Sequence, residues 1–176
     1  MSDAPAGTGA IPAPFDSFRS HVRGDWIDGN HHMNMGYYVV VFDLATDAWL
    51  AWVGLDEAHR RAHRVTTFCA EAHVTYHREV REGDPLRFTT RLLGFDAKRI
   101  HYFHEMYHAE AGYLASTNEL MSLHVSQETR RTAPMAPEIL DHLARIQNAH
   151  DVLPRPAQVG RIMGLGTRPG SPRPIG

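Results

Sequence analysis

Residues 34–53, NMGYYVVVFDLATDAWLAWV, constrain the fold more than any other part of this chain. Read at helical spacing, the apolar side chains lie on nearly every side, and Asp43 and Asp47, one turn apart, form the main polar break. Asn34 can cap the first free amides, and Gly54 can end the helix in the left-handed conformation. Because a helix that is apolar nearly all round must be enclosed by protein, the segment predicts a central helix.

Strand patterns surround this helix. Residues 18–27 predict one strand before it, and residues 68–80, 86–92, 100–108 and 113–125 predict four strands after it. Turn signals at Gly83-Asp84-Pro85 and after Gly94 keep the connections short, which makes the strands antiparallel. A short amphipathic helix begins near Pro137. The sequence therefore predicts an α+β fold in which one antiparallel sheet curls around one long central helix.

The alternation also predicts which side chains face the helix. In the strand at 68–80, the inward set is Phe68, Ala70, Ala72, Val74, Tyr76 and Val80, and the outward set is Cys69, Glu71, His73, Thr75, His77 and Glu79. In the last strand, Glu119 falls in register with Ala115, Met121 and Leu123, on the predicted inward face. An inward carboxylate needs a partner, and Arg78 is the expected one.

Composition limits the classes of function. The 176 residues, 43% hydrophobic and 22% charged, suit one soluble domain, which we place at residues 15–149. Residues 1–14 predict a disordered tail, and residues 150–176 predict a disordered, basic, Pro/Gly-rich tail. A net charge of -2 gives no reason to expect nucleic acid or an anionic membrane as a partner. One free cysteine and no signal peptide or membrane-spanning run predict a cytoplasmic protein.

A polar cluster precedes the central helix. The segment DWIDGNHHMNMGYY brings Asp28, Asn30, His32 and Asn34 to the helix start. Free amides at a helix N-terminus can stabilise a developing negative charge, and a nearby carboxylate can attack a carbonyl carbon or activate water. Asp, Asn and Gly also form capped polar loops with no catalytic role. The residues alone leave these two interpretations open.

The run from Asp28 to Asn34, followed by Tyr38, resembles the D-x-N-x-H-[VM]-N signature of hotdog-fold thioesterases, including plant acyl-carrier-protein thioesterases and bacterial enzymes of the 4-hydroxybenzoyl-CoA type. The resemblance implies a hotdog fold and hydrolysis of an acyl-CoA thioester. It further implies that Asp28 is the nucleophile or base, that Asn30 and His32 assist it, and that the amide of Met35 or Gly36 polarises the carbonyl. No metal or redox cofactor is implied.

Longer segments, among them WIDGNHHMN, EAHVTYHREVREGDPL and HEMYHAEAGYLASTNELMSLH, resemble the betainyl-CoA thioesterases of bacterial carnitine breakdown. This resemblance implies a small acyl group that carries a quaternary ammonium. Aromatic faces and a carboxylate are the groups that can hold such a cation. The aromatic candidates are Trp26, Trp49, Trp52 and Tyr76, and the acidic candidates are Glu71 and Glu119.

The plant-type enzymes also use a glutamate on the second strand, and Glu79 is the nearest match. The alternation places it on the face away from the helix, which predicts a surface or subunit-interface charge. The segment from His104 to His108 spells H-E-x-x-H, but that zinc motif works only on a helix. Here the flanking residues predict a strand, on which the two histidines stand roughly 13 Å apart.

Three functions remain: an acyl-CoA thioesterase, with betainyl-CoA or another short or medium acyl-CoA as substrate; a hotdog module that binds acyl-CoA without catalysis; and a hotdog dehydratase. Asp28 argues against the binding module, because a carboxylate gives no advantage beside a thioester that is merely bound. The dehydratase lacks its usual catalytic His and acid arrangement in this sequence. An exposed edge strand predicts a homodimer or a higher homo-oligomer.

Overall fold

The computed structural model describes residues 10–164 of the 176-residue chain. The order of elements is β1 (Phe15–His21), a 3-10 turn (Gly24–Trp26), α1 (Met35–Val53), α2 (Glu57–His63), β2 (Val65–Tyr76), β3 (Pro85–Phe95), β4 (Arg99–His108), β5 (Leu114–Ser126) and α3 (Pro137–His150). The strands form one antiparallel five-stranded sheet in the order β1-β3-β4-β5-β2. This arrangement confirms the predicted sheet and long central helix.

The predicted ends of α1 are confirmed. The Asn34 side chain accepts a hydrogen bond from the Gly36 amide at 3.0 Å, and Gly54 ends the helix with a φ of 104°. Two hydrophobic clusters lie between α1 and the sheet. Val41 and Phe42 belong to the cluster around its first half, and Trp49 belongs to the cluster around its second half, which α3 also covers.

The sheet leaves one stripe of α1 uncovered. Its apolar members are Met35, Val39, Val40 and Leu44, which are between 44% and 67% exposed. The stripe lies beside β2, which is an edge strand of the sheet. The sheet and α3 therefore cover most of α1, and a groove remains along the uncovered stripe.

The predicted facing of β2 is partly wrong. A bulge interrupts its pairing with β5 between Cys69 and Glu71, so that Ala70 has no partner residue. An extra residue reverses the alternation that precedes it. Cys69 consequently lies in the groove beside α1, and Phe68, which the pattern directs inward, is 42% exposed.

The first strand and the second helix also differ from the sequence prediction. The strand predicted at residues 18–27 is observed at Phe15–His21, and the chain turns at Gly24 into the 3-10 segment. The α2 helix, Glu57–His63, was not predicted. Its signal is nevertheless present, because Asp56 caps the first turn by accepting from the His59 amide at 2.8 Å.

The folded part of the chain extends beyond residues 15–149 at both ends. At the start, Ile11 packs against the core and the Pro12 carbonyl accepts from His150 Nε2 at 2.9 Å. After α3, the chain crosses the outer face of the sheet, where the Pro154 carbonyl accepts from Arg91. These contacts correct part of the predicted tails. Residues 1–9 and 165–176 lie outside the described residues.

Within residues 10–164, no single helix has the length and hydropathy that a membrane crossing needs, and only α1 and α2 taken together, bent by 66°, meet that test.

His104 joins α1 to the sheet. The H-E-x-x-H segment lies on β4, as predicted. His104 is fully buried, with Nε2 at 2.9 Å from the Thr46 hydroxyl and Nδ1 at 2.8 Å from the Thr90 hydroxyl. Burial lowers the pKa of His104 to about 3. The native imidazole is therefore neutral at neutral pH and mildly acidic pH.

This burial makes stability depend on pH. Between pH 7 and pH 5 the unfolded chain protonates His104 at its ordinary pKa of 6.5, whereas the native chain does not. The residue should therefore lower the free energy of unfolding by about 2 kcal/mol over this interval. In His104→Gln, that part of the pH dependence should disappear, although the variant is less stable at every pH. Urea unfolding at pH 7 and pH 5 measures the difference, and exposed His21→Gln is the control. An unchanged slope in His104→Gln would contradict the assignment.

Candidate active site

A cleft of about 480 Å³ lies at the N-terminus of α1. It is lined by Asp28, Asn30, His32, Met33, Asn34, Met35, Tyr38, Tyr76, His77, Arg78 and Glu79. Every predicted catalytic position except Gly36 is among them, and Gly36 is the next residue along α1. The structure thus gathers the polar cluster of the sequence around one opening.

The loop that carries Asp28 is held by its own backbone. The Asp28 amide donates to the His32 carbonyl at 3.0 Å, and the Asp28 carboxylate accepts from the Asn30 amide at 2.8 Å through Oδ1. His31 takes a positive φ of 63°, which closes the turn. His31 and His32 therefore differ in setting, since His31 is exposed and His32 lines the cleft.

The helix start offers one free amide beside this loop. The Gly36 amide donates to the Asn34 side chain, so the Gly36 amide is already paired. Among the described residues, no group accepts from the amide of Met35, which is the first helical residue. Tyr76 donates to the Met35 carbonyl at 3.3 Å and fixes the end of β2 against this turn. Of the two amides predicted from the sequence, Met35 is the one available to an oxyanion.

Glu79 enters the cleft, contrary to the strand alternation. β2 ends at Tyr76, and the amides of His77 and Arg78 both donate to the Ala115 carbonyl, at 2.9 and 3.1 Å. Beyond the strand the period of two no longer applies. Glu79 Oε2 lies 3.0 Å from Nε2 of His32. The prediction that Glu79 points away from the helix is wrong, because the strand stops three residues earlier.

The second oxygen of Glu79 is also engaged. Oε1 accepts from Arg81 at 3.0 Å, and the backbone carbonyl of Glu79 accepts from Tyr113 at 3.0 Å. These contacts hold Glu79 in place, and Glu79 in turn orients the His32 imidazole. The sequence signal for this pair was the glutamate of the plant-type motif.

Two tyrosines form an aromatic wall of the cleft. The rings of Tyr38 and Tyr76 meet edge to face with centroids 5.1 Å apart. Burial raises the pKa of both hydroxyls, so both remain protonated at neutral pH. Trp26 is buried behind the loop, where it stacks on Tyr37 at 5.7 Å. It supports the loop and is not one of the residues that line the cleft.

Trp49 and Trp52 are not brought to this site. They lie near the C-terminal end of α1, roughly 20 Å along the helix from Met35. Trp49 is fully buried, and its ring centroid lies 5.4 Å from that of Trp52 and 5.8 Å from that of Phe15. Trp49 belongs to the core cluster around the second half of α1, and the partly buried Trp52 packs against that cluster.

Glu71 and Glu119 also lie elsewhere. Both line a depression on the outer face of the sheet, on the side away from α1. Glu119 accepts from His101 Nε2 at 2.8 Å and from the Gly160 amide at 2.7 Å. Arg78 instead stands over the Tyr113 ring at 4.0 Å. The predicted inward facing of Glu119 and its pairing with Arg78 are therefore wrong.

Comparison with known proteins identifies the family. The model of the thioesterase-like superfamily matches residues 22–143. The chain belongs to this superfamily. It is 38% identical to a betainyl-CoA thioesterase of Pseudomonas aeruginosa over 149 residues, which are 85% of this chain and 94% of that protein. It is also 38% identical to an L-carnitine dehydrogenase/betainyl-CoA thioesterase of Agrobacterium fabrum, of which it spans 30%.

A solved structure agrees with the family assignment. A hypothetical protein of Staphylococcus aureus, determined in complex with CoA, superposes with a TM-score of 0.82 at 28% identity. The match covers 91% of this chain and 100% of that chain. The expected hotdog fold is confirmed, as is the expected membership among thioesterases.

The cap of α1 can be tested without reference to activity. In Asn34→Ala, the Gly36 amide loses its acceptor, and the free energy of unfolding should fall by about 1 kcal/mol. Asn34→Asp keeps the acceptor and should stay close to the parent. Denaturant unfolding monitored by circular dichroism gives the values. Asn30→Ala is the control, because the backbone of Asn30, and not its side chain, makes the loop hydrogen bond. Equal stability of Asn34→Ala and Asn30→Ala would refute the capping role.

Proposed function

We propose that this protein hydrolyses betainyl-CoA to glycine betaine and CoA, with no metal or redox cofactor. The observation that carries the proposal is the cleft at the start of α1. It holds the Asp28 carboxylate together with the Met35 amide, which has no acceptor within residues 10–164. The choice of acyl group rests on the 38% identity to a betainyl-CoA thioesterase across 94% of that protein. The cytoplasmic location expected from the sequence remains a prediction.

The chemistry follows from the two groups. The thioester carbonyl oxygen accepts from the Met35 amide, and the dipole of the 19-residue helix stabilises the negative charge that develops there. Asp28 either removes a proton from an attacking water or attacks the carbonyl carbon itself. In both routes the C–S bond breaks, the thiolate of CoA takes up a proton, and the oxygen of water ends in the carboxylate product.

His32 and Glu79 assist this chemistry. The Glu79 carboxylate at 3.0 Å from Nε2 holds the imidazole in one orientation at the edge of the cleft. His32 is also tied to the loop, because its carbonyl accepts from the Asp28 amide. The pair therefore positions the Asp28 loop. A positioning pair contributes less to the rate than the group that attacks.

Replacement of Asp28 tests the proposal. Asp28→Asn keeps an oxygen that can accept from the Asn30 amide, so the loop should stay folded. Loss of the carboxylate should cut kcat for betainyl-CoA by at least about 100-fold. His32→Ala should lower kcat by a smaller factor. A thiol-release assay with a CoA-ester panel measures these rates.

The control is Asp25→Asn, three residues earlier, where the carboxylate is exposed and pairs with Arg23 at 2.8 Å. This variant should keep the parent kcat. Near-normal turnover in Asp28→Asn would exclude Asp28 as the attacking or activating group. No thiol release from any ester in the panel would instead favour the non-catalytic acyl-CoA-binding module.

The proposal includes a homodimer. β2 is a 12-residue edge strand, and the uncovered stripe of α1 lies beside it. Pairing of two β2 edges across a two-fold axis would satisfy the free edge groups and cover the apolar stripe of both copies. Phe68 and Tyr76, both more than 40% exposed on this strand, would be covered as well.

Sedimentation velocity at micromolar concentration should show a dimer in the parent. Leu44→Glu places a charge on the uncovered stripe and should shift the population to monomer, because burying an unpaired charge is costly. Val152→Glu is the matched control, since Val152 is 81% exposed and follows α3. Its dimer should be unaffected. A monomeric parent would contradict the dimer proposal.

A further inference from the structure

A second cavity, of about 190 Å³, lies in the groove between α1 and the sheet. It begins one helical turn beyond the candidate active site, at Val39, which follows Met35 on the same stripe. On the sheet side, Ala72 and Leu120 are apolar neighbours of the opening. Asp43 and Asn118 supply polar atoms. The cavity therefore combines apolar walls with oxygen acceptors.

The two carboxylates of the cavity differ in their partners. Asp47 is paired with Arg60, whose Nη1 lies 3.8 Å from Oδ1. Asp43 forms no ion pair within the described part of the chain, and desolvation together with the nearby Asp47 raises its pKa. A partly desolvated carboxylate without a cation is an unfavourable arrangement. A bound cation would relieve it.

Asn118 gives an independent indication. It is 2% exposed and lines the cavity, and its Oδ1 atom has no hydrogen-bond partner in the described structure. Buried acceptors are nearly always paired. Among the described residues, the Asn118 acceptor and the Asp43 carboxylate both line this cavity without a partner, and that combination suits a positively charged ligand.

We infer that this cavity receives the quaternary ammonium of the acyl group and that Asp43 is the residue that selects for its charge. The inference rests on the proposed betainyl-CoA activity. Methyl groups need apolar walls, and Val39, Ala72 and Leu120 provide them. The cation has no hydrogen to donate, so a carboxylate can attract it only through charge and proximity.

The geometry of α1 allows the ammonium of a bound betainyl group to approach Asp43. One methylene separates the carbonyl carbon of a betainyl group from its nitrogen, and Val39 lies roughly 6 Å along the axis from Met35. Helical side chains lean towards the N-terminus, so the Asp43 side chain covers the turn that precedes its own Cα. The carboxylate therefore extends towards the level of Val39, at the end of the cavity nearer to Met35.

The test compares a cationic and a neutral ester of equal shape. The measurement is kcat/KM for betainyl-CoA and for 3,3-dimethylbutyryl-CoA in the parent and in Asp43→Asn. The ratio of kcat/KM for betainyl-CoA to kcat/KM for 3,3-dimethylbutyryl-CoA should exceed ten in the parent. It should fall about five- to tenfold in Asp43→Asn, because the KM of the cationic ester rises. The neutral ester should be hydrolysed as before. Glu119→Gln, on the outer face of the sheet, should keep the parent ratio.

Inhibition by tetramethylammonium chloride, with sodium chloride as the ionic-strength control, gives a readout without the thioester. Its inhibition constant should rise in Asp43→Asn by a factor similar to the fall in the ratio. A parent ratio that Asp43→Asn leaves unchanged would overturn the role of Asp43 and leave the betainyl-CoA activity standing. Equal kcat/KM for both esters in the parent would overturn the betainyl-CoA proposal together with this inference. Equal losses on both esters in Asp43→Asn would make Asp43 a residue of catalysis or folding, contrary to the inference.

Discussion

The burial of α1 determines most of this structure. A 19-residue helix with apolar side chains on nearly all sides cannot be stable in water, so the sheet and α3 enclose most of it. Enclosure favours pairing of the polar groups on the buried sides. Thr46 is paired by its bond to His104 on β4. The stripe that remains open, with Asp43 and Leu44, is a side of the helix that a ligand or a second copy can approach.

The same burial prepares the chemistry. Because the helix is fixed along its length by two core clusters, its first turn is fixed as well, and the Met35 amide points to a constant position. Asn34 accepts from the Gly36 amide, and the Met35 amide has no acceptor in the described part of the chain. Tyr76 ties the carbonyl of that turn to β2. An oxyanion donor that does not need to reorganise is the more effective one.

Periodicity predicted the elements well and the directions of side chains less well. The helix at 34–53 and the four strands after it are long enough for their patterns to dominate. The prediction of which face a side chain lies on is wrong where the strand departs from regular pairing. The bulge at Ala70 reverses the faces of the sheet on which Phe68 and Cys69 lie. Because β2 ends at Tyr76, the Glu79 side chain can enter the cleft. A bulge depends on how two strands pair, which a one-strand pattern does not contain.

The positions of the acidic side chains also differ from those that the strand alternation predicts. Glu71 and Glu119 were the predicted acids for a cationic substrate, but on the outer face of the sheet Glu119 already accepts from His101 and from the Gly160 amide. A carboxylate with both oxygens paired has little capacity left to attract a ligand, whereas Asp43 beside the open stripe has no cationic partner within the described chain. Its position was visible in the sequence as a polar break in an apolar helix. Such a break in an otherwise enclosed helix marks the side that the domain keeps open, and that side is where selectivity for a charged acyl group can be built.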